Sequence, residues 1–200
     1  MRGGHVTNLL SFGIGWFACV VGAANGTPSY GVAVAAMLLA LNILVAEDAL
    51  HEARVIATVG AIGFVIDTIL ALAGIFVFDP RTSNPSWLCP IWLVAIWMMF
   101  GSTFTASLAW LATRTAIAST VGAIVVPLSY LAAANMGALA IPASVAPRVA
   151  TIAIIWAVVF PGLLRFANSR GNLTPEPLPL REGEQSYVRD RATQCLVSPY

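Results

Sequence analysis

Three sets of residues in this 200-residue chain have types and spacings that could do chemistry. The first is the segment EDALHEAR, Glu47 to Arg54. On a helix its Asp48, His51 and Glu52 fall on one face at spacings of three and four, which could ligate a metal or support acid–base work. No second cluster of ligands accompanies them, and acidic residues suit the start of a helix, so the segment is read as a solvated turn leading into one. The second is Asp67, alone in the apolar run GFVIDTILA from Gly63 to Ala71. The third is the hydroxyl run Ser102, Thr103, Thr105 and Ser107. Hydroxyls in an apolar helix can bond their own backbone, so packing is the expectation there. His5 is isolated, and Cys19, Cys89 and Cys195 form an odd set without ligand spacing, so no metal and no cofactor is expected. There is no nucleophile–base pair, no HExxH and no phosphate-binding glycine loop, so no catalytic residue is named.

The elements that position these residues belong to a membrane. The chain is 58% hydrophobic and 10% charged, with a mean hydropathy of +0.84. That charged fraction is well below the level of a soluble domain. Apolar residues come in runs near membrane-spanning length, predicting an all-α, polytopic membrane bundle of six helices. The spans are Asn8 to Asn25, Ser29 to Ala46, Arg54 to Phe78, Trp87 to Leu111, Thr115 to Gly137 and Pro147 to Phe166. The links Gly26-Thr27-Pro28, Asp79-Pro80-Arg81 and Ile141-Pro142 carry turn residues. The link Thr113-Arg114 is tight enough to predict that the fourth and fifth spans are antiparallel neighbours.

Every basic residue is arginine, and the net charge is +1, with no basic footprint for nucleic acid. Arg2, Arg54, Arg114, Arg165 and Arg170 fall on one side of the spans, with Arg181, Arg189 and Arg191 further on; Arg81 and Arg148 fall on the other. Both termini are therefore expected in the cytoplasm. Gly22-Ala23-Ala24 has the form of a cleavage site, but five later spans and the arginine bias favour a retained first helix. The halves share only Ala-Ala-Asn, in non-corresponding spans, so no inverted repeat is read. Residues 1–166 are taken as the transmembrane domain, and 167–200, rich in Pro, Glu, Arg and Ser, as a disordered cytoplasmic tail. Asn172-Leu173-Thr174 has the form of a glycosylation acceptor without other signs of a secreted loop.

On the third span Gly60, Gly63, Asp67, Ala71 and Gly74 share one narrow face, the kind that brings helices close in a bilayer. Ile62, Val65, Ile69 and Phe76 are left to lipid or bulkier packing. Asp67 stands about 20 Å along the helix from Arg54, past the midplane. A charged carboxyl there costs about 2.5–3.5 kcal/mol unless paired or hydrated. With no intramembrane cation, Asp67 must be neutral, hydrated or held by hydroxyl donors. The same depth reaches Pro127, Ser129 and Tyr130 on the fifth span, Trp97 on the fourth and Trp156 on the sixth. Pro127 also frees the carbonyl of Ala123. The candidate binding site is Asp67, Pro127, Ser129 and Tyr130, and two readings stay open: a functional titrating group and a neutral clasp between helices. Asn42 is read as packing glue, Trp87 and Trp110 as interface anchors, and Trp16, Trp92, Trp97 and Trp156 as ordinary packing.

Four stretches resemble an uncharacterised bacterial multi-pass membrane family, the domain of unknown function two-eight-seven-eight. They are NLLSFGIGWFACVVGAANG, EAR leading into GAIGFVIDTILALAG, CPIWLVAIWMMFGSTFTASLAWL, and GAIVVPLSYLAAANMGAL. The resemblance runs from about Asn8 to Phe166 and includes an aspartate at Asp67 and a Pro-Leu-x-Tyr segment at Pro127, Leu128 and Tyr130. Where this chain reads Thr105-Ala106, the family often has a more polar pair, sometimes Asn-His. The resemblance implies the bacterial inner (plasma) membrane and a setting beside enzymes that modify membrane fatty acids. The expectation is an accessory or lipid-handling protein whose partners are membrane lipids and possibly another membrane or lipid-modifying protein. The alternative is a small-solute permease or proton-coupled carrier using Asp67, and an intramembrane enzyme ranks third.

Overall fold

The computed structural model describes residues 2–83 and 85–169. The described residues form helices and turns apart from two short strands. In order the elements are α1 (Arg2–Ala24), α2 (Pro28–Leu44), α3 (Ala49–Leu72), β1 (Val77–Phe78), α4 (Ile91–Gly101), α5 (Thr115–Asn135), β2 (Leu139–Ala140) and α6 (Val145–Asn168). Four of the six helices are long and apolar enough to cross a membrane: α1, α3, α5 and α6. The expected tail from residue 167 begins inside α6 for its first two positions, and residues 170–200 lie outside the described residues.

Glycine ends the three odd-numbered helices in the same way. Gly26, Gly74 and Gly137 adopt φ of 72°, 70° and 87°. In each case the glycine N–H and the following N–H turn back onto carbonyls of the last helical turn, as in Gly74 N to Ala71 O and Ile75 N to Leu70 O. Left-handed backbone is open to glycine at no steric cost, which is why the helices stop there. Gly74, counted above on the packing stripe, is therefore a helix terminator. The turns after α3 and α5 lead into β1 and β2, which pair antiparallel, Val77 with Ala140 and Phe78 with Leu139. Pro28 opens α2, and Asp48 caps α3 by accepting from His51 N at 2.9 Å.

The stretch Trp87 to Leu111 is not one helix. α4 has 11 residues, about 16 Å, and the chain then turns through 102–108 into a 3-10 turn at Ala109–Leu111. The hydroxyls of Ser102 and Thr103 donate to Met99 O at 2.8 Å and Phe100 O at 2.6 Å, offering the backbone an alternative to further α-helix. Thr105 donates to Glu52 of α3, and Ser107 donates to Asn8 Oδ1 (2.7 Å) and to His5 O (2.6 Å) on α1. The run thus does more than pack: its side chains tie this segment to two other helices.

α1 and α2 form one close hairpin and α5 and α6 another, while α4 packs on α3, α1 and α2. The expected α4–α5 pairing gives way to α5 on α6, because residues 102–114 intervene between them. Glycine makes both hairpins possible: a Cβ on Gly31 would lie 2.4 Å from Cys19 Cα, and one on Gly122 2.4 Å from the Trp156 carbonyl. Asn42 of α2 reaches Ser11 of α1 at 3.4 Å, consistent with its reading as glue. Ring pairs join the α5–α6 hairpin to the rest of the fold: Trp97 on Trp156, Phe100 and Phe104 on Phe160, and Phe76 on Tyr130. Phe76 is accordingly buried, whereas Val65 and Ile69 are exposed.

Candidate functional site

Asp67 has no exposed surface. Its carboxyl is held from two helices. The indole Nε1 of Trp97, on α4, donates to Oδ2 at 2.6 Å, and the hydroxyl of Tyr130, on α5, donates to Oδ1. Three elements therefore meet on one carboxyl group, and a buried carboxyl without donors would be far costlier.

Gly63, one turn before Asp67, sets this geometry. A Cβ there would fall 2.2 Å from Trp97 Cγ, so the indole lies flat against the α3 backbone only because the position is glycine. Gly60 does the same for Met98, at 2.7 Å. The other face of Trp97 stacks on Trp156, with centroids 4.3 Å apart and planes at 11°. Tyr130 is likewise backed by Phe76 at 5.2 Å and 20°. Each donor is thus fixed by a second ring, so the clasp is rigid by packing as well as by hydrogen bonds.

Of the four residues selected from sequence, the fold brings Asp67 and Tyr130 into contact. Ser129 donates instead to Val126 O of its own helix at 2.8 Å. Adjacent helical residues point about 100° apart, so Ser129 and Tyr130 cannot both face α3. Pro127 is buried inside α5. Trp97 was grouped with ordinary packing, yet it supplies half of the clasp. Its depth matches that of Asp67 and a buried indole N–H normally needs an acceptor, a signal that could have found it, although Trp156 shares both features and has no acceptor among the described residues.

The first candidate set disperses. Asp48 caps α3, His51 Nε2 lies 2.9 Å from the Ala167 carbonyl, and Glu52 is buried and accepts from Thr105. Among the described residues no three His, Cys, Asp or Glu side chains gather as a metal site. Cys19 and Cys89 are buried free thiols, and Cys195 lies outside the described residues.

Beside the clasp, a crevice of about 410 Å³ lies between α1, α4 and α5. Its walls include Phe12, Trp92, Trp97, Phe100, Val126 and Tyr130, and the hydroxyl of Ser129 is one of its few polar groups. The lining residues Gly13, Val125 and Leu128 are exposed on the molecular surface, so the crevice opens sideways between α1 and α5. Trp97 and Tyr130 both line this crevice and hold Asp67 with their polar atoms.

A family model described as protein of unknown function (DUF2878) matches residues 5–162. The chain belongs to that family. The match spans the clasp, the crevice and the turn segment between α4 and α5. No curated protein and no solved structure matches the chain.

Proposed function

We propose that this DUF2878 protein is a multi-pass protein of the bacterial inner membrane that binds membrane lipid, as an accessory to a lipid-modifying partner. The observation that carries this reading is the crevice: its walls are almost wholly hydrocarbon, it is within the size range of small-molecule sites, and it opens on a face of apolar side chains. Water would gain little there, and an acyl chain would lose none of its apolar contact. In this reading all six helices enter the bilayer, residues 102–111 complete the passage that the short α4 begins, and both termini are cytoplasmic. The arginine distribution supports that orientation. Comparing cells with and without the gene tests it: acyl-chain composition should change while small-solute uptake does not. Changed uptake with unchanged lipids would count against it.

A second reading, a proton-coupled carrier, is favoured by one observation: Asp67 is an ionisable group buried within a helix that can cross the membrane. Asp67→Asn keeps the hydrogen bonds and removes the titratable proton. Full activity of that variant across pH would end the carrier reading.

A further inference from the structure

α5 and α6 are each long and apolar enough to cross a membrane, and together they form one hairpin. Arg114 immediately precedes α5, and Arg165 stands in the last turn of α6, so both arginines lie at the same end of that hairpin. Arg165 Nη2 donates to Thr115 Oγ1 at 2.5 Å, which brings its guanidinium to the residue that follows Arg114. The Arg114 guanidinium carbon lies 5.1 Å from the centre of the half-exposed Trp110 ring. A ring face holds a cation without neutralising it. Both arginines are exposed, and among the described residues no carboxylate pairs with either. Arg81, at the other end of the helices, is held by Asp79 at 2.6 Å. Each guanidinium carries five N–H donors, and of the two sets only Arg165 Nη2 has a protein acceptor among the described residues. At the end of a membrane-crossing hairpin the free donors stand at the level of lipid headgroups, where tryptophan is also the favoured ring. The acceptors at that level are phosphodiester oxygens, whose geometry matches the guanidinium fork. A zwitterionic headgroup would bring its own ammonium to two unneutralised cations, whereas an anionic one brings net negative charge.

We propose that the corner formed by Trp110, Arg114, Thr115 and Arg165 binds the phosphate headgroup of anionic phospholipid, on the side that the arginine distribution assigns to the cytoplasm. None of these four residues lines the crevice, so this contact is separate from the lipid-binding reading above. Contacts between exposed charges are screened by salt, so lipid held at the corner exchanges with the bilayer and is to be measured there.

The test uses the full chain in phosphatidylcholine nanodiscs doped with a trace of phosphatidylglycerol or phosphatidylcholine, each carrying a photoactivatable diazirine close to the glycerol end of its acyl chain. Cross-linked peptides are mapped, and labelling of residues 109–117 and 161–168 is compared between the two lipids. Phosphatidylglycerol should label this corner about thirtyfold more, or about fivefold for each arginine. The preference should fall about fivefold in Arg114→Gln or Arg165→Gln, vanish in the double variant and at 1 M salt, and persist in Arg81→Gln. Equal labelling by the two lipids in the unaltered chain overturns the proposal, whether or not any variant folds. So does an equal loss of preference in Arg81→Gln, which would make it a matter of net charge alone. Glycerophosphoglycerol, the same headgroup without chains, should leave the labelling unchanged at millimolar concentration. Its displacement of the lipid would give the corner to a soluble phosphodiester and overturn the membrane source.

Discussion

Asp67 accepts from two donors on two helices, and the chemistry of its replacements follows from that count. An asparagine at the position can accept from Trp97 with its carbonyl and donate to the Tyr130 hydroxyl, which is able to reverse its role. A leucine leaves both donors buried and unpaired. Asp67→Asn is therefore expected to fold with nearly unchanged stability, and Asp67→Leu to lose about 2 kcal/mol or more, measured by denaturant unfolding in mixed micelles. Equal stability of the two variants would remove the clasp. Gly63→Ala should cost about 1–3 kcal/mol, because its methyl group occupies space taken by the Trp97 ring. That cost should shrink in a Trp97→Leu background, since the coupling is between those two residues. Asp67 and Tyr130 were legible from the small-residue stripe and from counted depth. Trp97 was only half legible: an indole inside an apolar helix fits packing and hydrogen bonding equally well until its neighbour is known. Ser129 misled because depth says nothing about direction around a helix.

The helix ends at Gly26, Gly74 and Gly137 depend on local backbone geometry, and the sequence marked two of them as breaks or span limits. The end of α4 depends on tertiary partners and escaped a reading of hydropathy. The run from Trp87 to Leu111 is continuously apolar enough for one span; Ser102 and Thr103 turn onto carbonyls of their own helix, and the acceptors offered by Asn8, His5 and Glu52 draw Thr105 and Ser107 to other helices. Asn8→Leu should accordingly destabilise the protein by about 1–2 kcal/mol, because it strips Ser107 of one acceptor and the Ser102 carbonyl of its donor. Thermal unfolding in detergent would measure it. The turn after β1 carries a pH dependence of known sign. Asp79 accepts from Arg81 N at 2.8 Å and from Arg81 Nη2 at 2.6 Å, and these bonds hold its carboxyl below the usual range. A lowered folded value means that the contact's contribution is complete above the unfolded value, about 3.9, and is lost as pH falls through the folded one. An NMR titration of the Asp79 carboxyl should give a midpoint below about 3.9, moving up toward it in Arg81→Gln.

At the scale of the molecule, the membrane class and the helix count were open to composition and run length alone, because no soluble fold tolerates so few charges over so many apolar residues. The crevice was not open to them, since it arises from the way α1 and α4 meet α5 across a gap filled on one side only by rings. Orientation can be checked with cysteines introduced at Pro80, in the turn after β1, and at Arg114, before α5. The first should react with an impermeant reagent applied outside the cell and the second should not. Ser83 is less suitable for this, being buried with its hydroxyl donating to Pro85 O at 3.0 Å and to Leu88 O. The most direct measurement of the central claim uses two glycines whose Cβ positions are both open. Gly13 lines the crevice, whereas Gly162 of α6 does not. Native mass spectrometry of the purified protein should show retained lipid for the unaltered chain and for Gly162→Phe, and its loss from Gly13→Phe, whose ring fills the crevice. Equal lipid retention by the two variants would contradict the account.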